Sequence, residues 1–246
     1  MKKILLVVAV VMVGAFVMSL QAFALPTQVI YLGDTIVEKV QTGYSGTTNE
    51  NLADWFSRNQ VTNMDGSAIN PVVDQKQYEL FFTDVARNYE VQYLGVGYAA
   101  YHSPFGVFTY TGDPYAAYDP TKITYYSPLF VQNEAAKNAT FQFSITAGTY
   151  FGFYLNVNKT GKDVSTMIAT NPDGIDHALF FDTNKGYTIA FEDIIGGGDK
   201  DYEDLVVNFK PADGTGFTST PEPSTFLLFG AGLVGLIGFG RRQLKK

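Results

Sequence analysis

Between Thr140 and Val157 apolar side chains twice fall on every second residue. Phe141, Phe143 and Ile145 alternate with Thr140, Gln142 and Ser144, and after the break at Ala147-Gly148 the pattern returns with Phe151, Phe153 and Leu155. A period of two puts one set of side chains on each face of an extended chain, so these stretches read as two half-buried strands, a hairpin or an adjacent pair. Short aromatic and β-branched runs recur at Val29–Leu32, Gln92–Tyr98, Val107–Tyr110, Ala178–Phe181, Tyr187–Phe191 and Leu205–Phe209, separated by Gly, Pro, Asn and Asp. That spacing predicts an all-β fold, an antiparallel β-sandwich of jelly-roll-like form with at most one or two short helices. One helix is predicted over Glu50–Arg58, where Leu52, Trp55 and Phe56 share a face behind the candidate caps Thr48 and Asn49. Gln75–Asn88 reads equally as helix or strand.

The ends of the chain limit where this domain folds. Lys2-Lys3, the 14-residue apolar run Ile4 to Val17 and the small-residue site Ala22-Phe23-Ala24 are the three parts of a secretory signal peptide, with cleavage by signal peptidase expected after Ala24. The run is shorter than the roughly 20 residues that a membrane-spanning helix needs. At the other end the 15-residue apolar stretch Phe226 to Gly240 carries five glycines and leads straight into Arg241, Arg242, Gln243, Leu244, Lys245 and Lys246. Basic flanks stay on the cytoplasmic side, so everything between the two apolar segments is translocated, and the short glycine-rich span predicts a transient membrane anchor. The chain contains no cysteine, which excludes both disulfides and a lipid-modified cysteine. Residues 1–24 are therefore read as signal peptide, 25–210 as one extracellular domain, 211–220 as a flexible spacer and 221–246 as a sorting tail with a transmembrane segment at 226–240.

Directly before the apolar stretch stand Pro221-Glu222-Pro223-Ser224-Thr225. A Pro-Glu-Pro triplet, an apolar Gly/Leu-rich helix and a terminal Arg-rich cluster resemble the PEP-CTERM sorting signal. The resemblance implies export by a Gram-negative bacterium that makes exopolysaccharide, with recognition and cutting of the tail by an exosortase, a membrane-embedded cysteine protease. A Gram-positive sorting signal needs a Leu-Pro-x-Thr-Gly sequence that is absent, and a GPI signal ends on its apolar tail without basic residues.

The whole chain has a formal net charge of -7, but without Lys2, Lys3, Arg241, Arg242, Lys245 and Lys246 it has 11 basic residues against 24 acidic ones, or -13. Such a surface repels nucleic acid and anionic membranes and favours cations and glycans. The acids crowd into one stretch, Asp173, Asp176, Asp182, Glu192, Asp193, Asp199, Asp201, Glu203 and Asp204, opposed there only by Lys185 and Lys200. Crowded carboxylates repel one another, and a hard cation with oxygen ligands relieves the repulsion. Gly196-Gly197-Gly198 permits a tight backbone path, so Asp199, Asp201 and Asp204 are expected to converge, with Glu192 and Asp193 arriving from the preceding strand, and calcium is the cofactor that this density of carboxylates suggests. An EF-hand is excluded, because the sixth position from Asp199 is Asp204 where that loop needs glycine. The acids also read without a metal, as turn caps on backbone N–H groups.

The same segment is similar to a domain of unknown function found in secreted bacterial proteins. The likeness rests on Asp176-His-Ala-Leu-Phe-Phe181, Phe191-Glu-Asp193, the turn Gly196 to Asp204 and Leu205-Val-Val207, with a looser upstream element, Gly97-Tyr98 to Phe105-Gly-Val-Phe108, extending it over about Val91 to Phe209. It implies an extracellular β-domain and assigns no activity.

Other templates fail. Gly95-Val-Gly97-Tyr-Ala-Ala100 has the outline of a dinucleotide fingerprint, but Pro104 bars the helix that must follow, and it reads better as a glycine-punctuated strand. Acids beside Gly196–Gly198 oppose phosphate binding. His102 and His177 are the only histidines, and neither H-E-x-x-H nor G-x-S-x-G occurs. His177 beside Asp176 reads as a packed histidine before it reads as a metal ligand. Tyr44, Tyr98, Tyr101, Tyr110, Tyr115, Tyr118, Tyr125 and Tyr126 lie in loop-rich stretches, where packing competes with stacking on sugars. These observations predict a non-catalytic exported surface or matrix protein associated with exopolysaccharide or biofilm. The alternatives are a glycan-binding module and a glycan-active enzyme using paired carboxylates across a cleft.

Overall fold

In the strand Arg87–Gly95 (β3) Tyr89, Val91 and Tyr93 are buried, while Asn88, Glu90 and Gln92 emerge on the other face. This alternation, repeated strand after strand, assigns the layers. The computed structural model describes residues 27–30, 32, 51–97, 99, 101–157, 162–215 and 217–219. The predicted signal peptide and the segment Phe226–Gly240 lie outside them. Among the described residues no helix is long and apolar enough to cross a membrane.

Two sheets form. The first contains Thr27–Ile30 (β1), Leu80–Thr83 (β2), Pro104–Tyr110 (β4), Ile123–Tyr125 (β5), Phe130–Val131 (β6), Thr149–Val157 (β8), Lys162–Ser165 (β9) and Phe217–Ser219 (β13). Its order is β13-β1-β2-β8-β4-β5, with β6 on β4 and β9 on β8. Only the β1–β13 pair is parallel. The second sheet is antiparallel throughout and runs β10-β11-β12-β3-β7, with Thr140–Ile145 (β7), Ala178–Thr183 (β10), Gly186–Phe191 (β11) and Leu205–Pro211 (β12).

Aromatic rings from both inner faces fill the space between the sheets. Phe209 on β12 meets Phe81 on β2 at 4.8 Å and Phe153 on β8 at 5.0 Å between centroids, while Phe105 on β4 stacks on Phe153 at 5.5 Å and meets Phe191 on β11 edge-on at 5.9 Å. Each such pair adds about 0.5–1.5 kcal/mol to the area term, which suits a core without disulfides. The predicted antiparallel sandwich is thus observed.

The runs Ala178–Phe181 and Leu205–Val207 are apolar at consecutive positions because their strands are covered on both faces. Phe180 and Val207 point into the sandwich, whereas Leu179, Phe181 and Val206 join Leu52, Trp55 and Phe56 of the helix Leu52–Arg58 (α1) in a second core. The helix starts two residues later than expected, because Asn51 is its N-cap and accepts from Asp54 N at 3.0 Å. The proposed caps Thr48 and Asn49 lie outside the described residues. Gln75–Asn88 resolves into β2 and the start of β3, and Gln92–Tyr98 into a strand that begins at Arg87 and stops at Gly95.

Residues 212–215 and 217–219, expected as part of a flexible spacer, lie against the sandwich. Ala212 N donates to Asn88 O at 2.9 Å, Asp213 lies 3.3 Å from the buried Arg87, and β13 then pairs with β1.

Candidate metal centre

The strands β11 and β12 pair up to Phe191 and Leu205, and the thirteen residues Glu192–Asp204 form the loop that joins them. Because the ladder fixes both ends, Glu192-Asp193 and Asp204 face each other at the neck. Asp193 N donates to Asp204 Oδ2 at 2.8 Å and closes it. The loop then winds around Glu192, whose two carboxylate oxygens accept from Ile194 N at 3.2 Å and Lys200 N at 3.1 Å. Such a tight path demands left-handed backbone: φ is 94° at Gly196, 81° at Gly197 and 44° at Gly198, and the non-glycines Lys200 and Tyr202 hold 63° and 56°. Tyr202 is fixed in that conformation by burial and by its hydroxyl, which donates to Asp176 O at 2.8 Å.

This path brings together all five predicted ligand residues. Oxygens of Glu192, Asp199 and Asp201 lie within 4.8 Å of one another, as do oxygens of Glu192, Asp193 and Asp204. Calcium–oxygen distances of 2.3–2.6 Å separate two ligands of one ion by at most about 5 Å, so each triad matches the span of a calcium shell. Glu192 belongs to both. Asp199 is exposed, while Glu192, Asp193, Asp201 and Asp204 are buried, so Asp199 marks the solvent side.

Carboxylates packed this way resist ionisation. Burial, then the charges of Asp201 and Asp199, raise the Glu192 pKa. Burial, then Asp193 and Glu192, raise that of Asp204. Asp201 is pushed up to about 6 by burial and by Asp199. The cluster without a cation therefore holds protons at pH values where ordinary carboxylates have lost them, and a divalent cation competes for the same oxygens.

One supporting residue left no signal in the sequence. Gln132, in the chain just after β6, is fully buried and donates from Nε2 to Asp193 Oδ2 at 3.2 Å and to Asp204 O, while its Oε1 accepts from Ser103 N at 3.1 Å. An isolated glutamine in a loop has no local pattern to betray it. Gly97 is a glycine for want of room, because a Cβ there sits 2.1 Å from Glu203 Cδ. Behind the loop, His177 Nδ1 lies 2.9 Å from Glu192 O and Nε2 lies 3.0 Å from Asp173 Oδ2, so both ring nitrogens address oxygen acceptors. Gly196 N also donates to Asp173 Oδ2, at 2.6 Å. Burial opposes ionisation of Asp173, but the Gly196 N–H, His177 and the Ile175 N–H outweigh it and hold its pKa below the ordinary value. His177 thus anchors the loop from outside the carboxylate cluster.

Among the described residues the loop tyrosines differ in exposure. Tyr115, Tyr125 and Tyr126 are exposed, Tyr110 is buried, and Tyr44 and Tyr98 lie outside the described residues. Tyr125 meets Tyr154 edge-on at 88°, and Tyr118 stacks on the buried Tyr110.

Two family models match the chain. Residues 136–212 match a domain of unknown function (DUF4114), a segment that runs from β7 to β12 and encloses the whole acidic loop. The upstream element Gly97 to Phe108 lies outside that match. Residues 219–243 match the PEP-CTERM protein-sorting motif, which contains Pro221, Glu222 and Pro223 and marks an exported protein that exosortase processes after membrane anchoring in Gram-negative bacteria. No curated protein and no solved structure matches the chain.

Proposed function

We propose that this chain is a non-catalytic component of the cell surface or of an extracellular polysaccharide matrix such as a biofilm, delivered by the exosortase route and stabilised by calcium at the Glu192–Asp204 loop. The observation that carries the reading is the sorting motif at 219–243, which follows a folded export domain almost without a break. The loop supports the structural role. Its carboxylates sit at the end of a core hairpin, and four of the five are buried, so a cation there ties β11 to β12. Low millimolar calcium outside the cell suffices for such a site, since extracellular calcium modules bind with constants of about 10⁻⁴ to 10⁻³ M.

Mass spectrometry of the native protein from separated membrane, envelope and medium fractions tests the sorting. The mature chain begins at Leu25, lacks the Arg241–Lys246 cluster and leaves the membrane fraction. Alanines at Pro221, Glu222 and Pro223 make the uncut form accumulate. Steady-state protein that retains Arg241–Lys246 contradicts the reading.

A further inference from the structure

In a chain so rich in acid, three cations gather along one groove. Arg58 ends α1, Lys137 lies in the loop before β7, and Lys185 lies in the β10–β11 turn. Two adjoining clefts of about 280 and 320 Å³ share Arg58, Asn59 and Lys137, and the second extends to Lys185. That size is near the lower end of small-ligand sites, and the shared walls make the pair one elongated groove. No carboxylate lines either cleft among the described residues, although acids outnumber bases 24 to 17 in the chain. Lys137 and Lys185 are exposed and form no ion pair among the described residues, and the Lys137 ammonium donates to Asn59 Oδ1.

Between the cations stand amides. Gln60, Gln92 and Asn138 line the second cleft with amides that carry both donors and an acceptor, the combination that a sugar hydroxyl needs, while the Asn59 amide is taken up by Trp55 O and the Lys137 ammonium. Arg58 and Lys137 line both clefts and Lys185 the second, so cations flank the length of the pair, which suits a polymer that carries anionic groups along its chain. Duplex DNA presents phosphates without free sugar hydroxyls, so it leaves these amides without their partners.

We propose that this groove binds an acidic polysaccharide, with Arg58, Lys137 and Lys185 meeting its carboxylate or sulfate groups and the amides of Gln60, Gln92 and Asn138 meeting its hydroxyls. The site is separate from the carboxylates of the acidic loop and does not depend on calcium occupying them.

Fluorescence anisotropy with labelled dextran sulfate tests the proposal on the full-length protein in detergent, with uncharged dextran of equal length as the comparison. Dextran sulfate binds, dextran does not, and added salt weakens the complex. The paired substitution Lys137→Gln and Lys185→Gln lowers the affinity about tenfold at an unchanged melting temperature, because both side chains are exposed. Lys210→Gln, which removes a lysine lying 3.1 Å from Glu90 outside the groove, leaves the affinity within about twofold. The proposal is overturned if the paired variant binds like the parent, if dextran binds equally well, or if inorganic sulfate displaces the polymer at an equal concentration of sulfate groups.

Discussion

Replacing Gly198 with alanine separates two effects that a glycine-rich loop usually mixes. A Cβ on Gly198 sits 2.3 Å from Glu192 Oε1 and 3.0 Å from its Cδ, so the carboxyl must shift by most of an ångström and release Ile194 N and Lys200 N. Two lost hydrogen bonds at about 1 kcal/mol each, added to roughly 1–2 kcal/mol for a left-handed alanine, give about 3–4 kcal/mol. At about 2–4 °C per kcal/mol for a domain of this size, the melting temperature falls by roughly 6–16 °C. Gly196 supplies the control, since its φ of 94° suits alanine less well than the 44° of Gly198, yet a Cβ there meets nothing within 4 Å. Gly196→Ala therefore costs only the backbone strain, about 2–8 °C. Backbone preference alone ranks Gly196→Ala as the worse change, whereas the Glu192 contact ranks Gly198→Ala as the worse. Thermal unfolding by circular dichroism with and without calcium decides between them. The reasoning fails if Gly196→Ala melts lower, or if Gly198→Ala keeps the full calcium response of the parent.

The pH dependence has a definite sign. Glu192, Asp201 and Asp204 have raised pKa values in the fold, so between the ordinary carboxylate range and at least pH 6 the folded state holds protons that the unfolded chain has lost. Stability without metal therefore falls as pH rises from about 5 to 8, and the rise in melting temperature on adding calcium grows over the same window, which a set of melting curves in chelator and in calcium checks. Gln132→Glu places another carboxyl against Asp193 Oδ2 and the Asp204 carbonyl in place of a donor. The metal-free protein is then destabilised by about 2–5 kcal/mol, read from denaturant unfolding, and recovers more on calcium addition than the parent does.

Much of the sandwich was legible because its signal is local. Alternation at Thr140–Ile145 and Thr149–Val157 marks β7 and β8, but the expected hairpin does not form, since β7 pairs with β3 in the second sheet and β8 with β2 and β4 in the first, and the unbroken apolar runs of β10 and β12 mark strands covered on both faces. The short strands β5, β6 and β9 carry three, two and four residues, too few for a period to show. Of the second sheet's cover, only α1 was legible, since a helix has its own periodicity whereas the sheet face it packs on is set by pairing. The acidic loop was readable from density and glycine spacing, because all five carboxylates lie within thirteen residues. The roles of Gln132 and Gly97 were not, since Asp193 and Asp204 lie 61 and 72 residues from Gln132 in the chain and Glu203 lies 106 residues from Gly97, a nearness created only by folding.

The claim that the Glu192–Asp204 loop is a calcium site is tested most directly by the melting temperature of the mature protein as calcium is added. At ten times a dissociation constant of about 10⁻⁴ to 10⁻³ M, binding to the folded state alone adds roughly 1.4 kcal/mol. That raises the melting temperature by about 3–6 °C. Magnesium, whose small octahedral shell suits a span of buried and flexible carboxylates less well, gives a smaller rise at the same concentration. The paired change Asp201→Asn and Asp204→Asn takes one carboxylate from each triad and abolishes the response. A melting curve that stays unchanged up to about 10 mM calcium, ten times the weakest of those constants, contradicts the account and leaves the five acids as turn-forming groups.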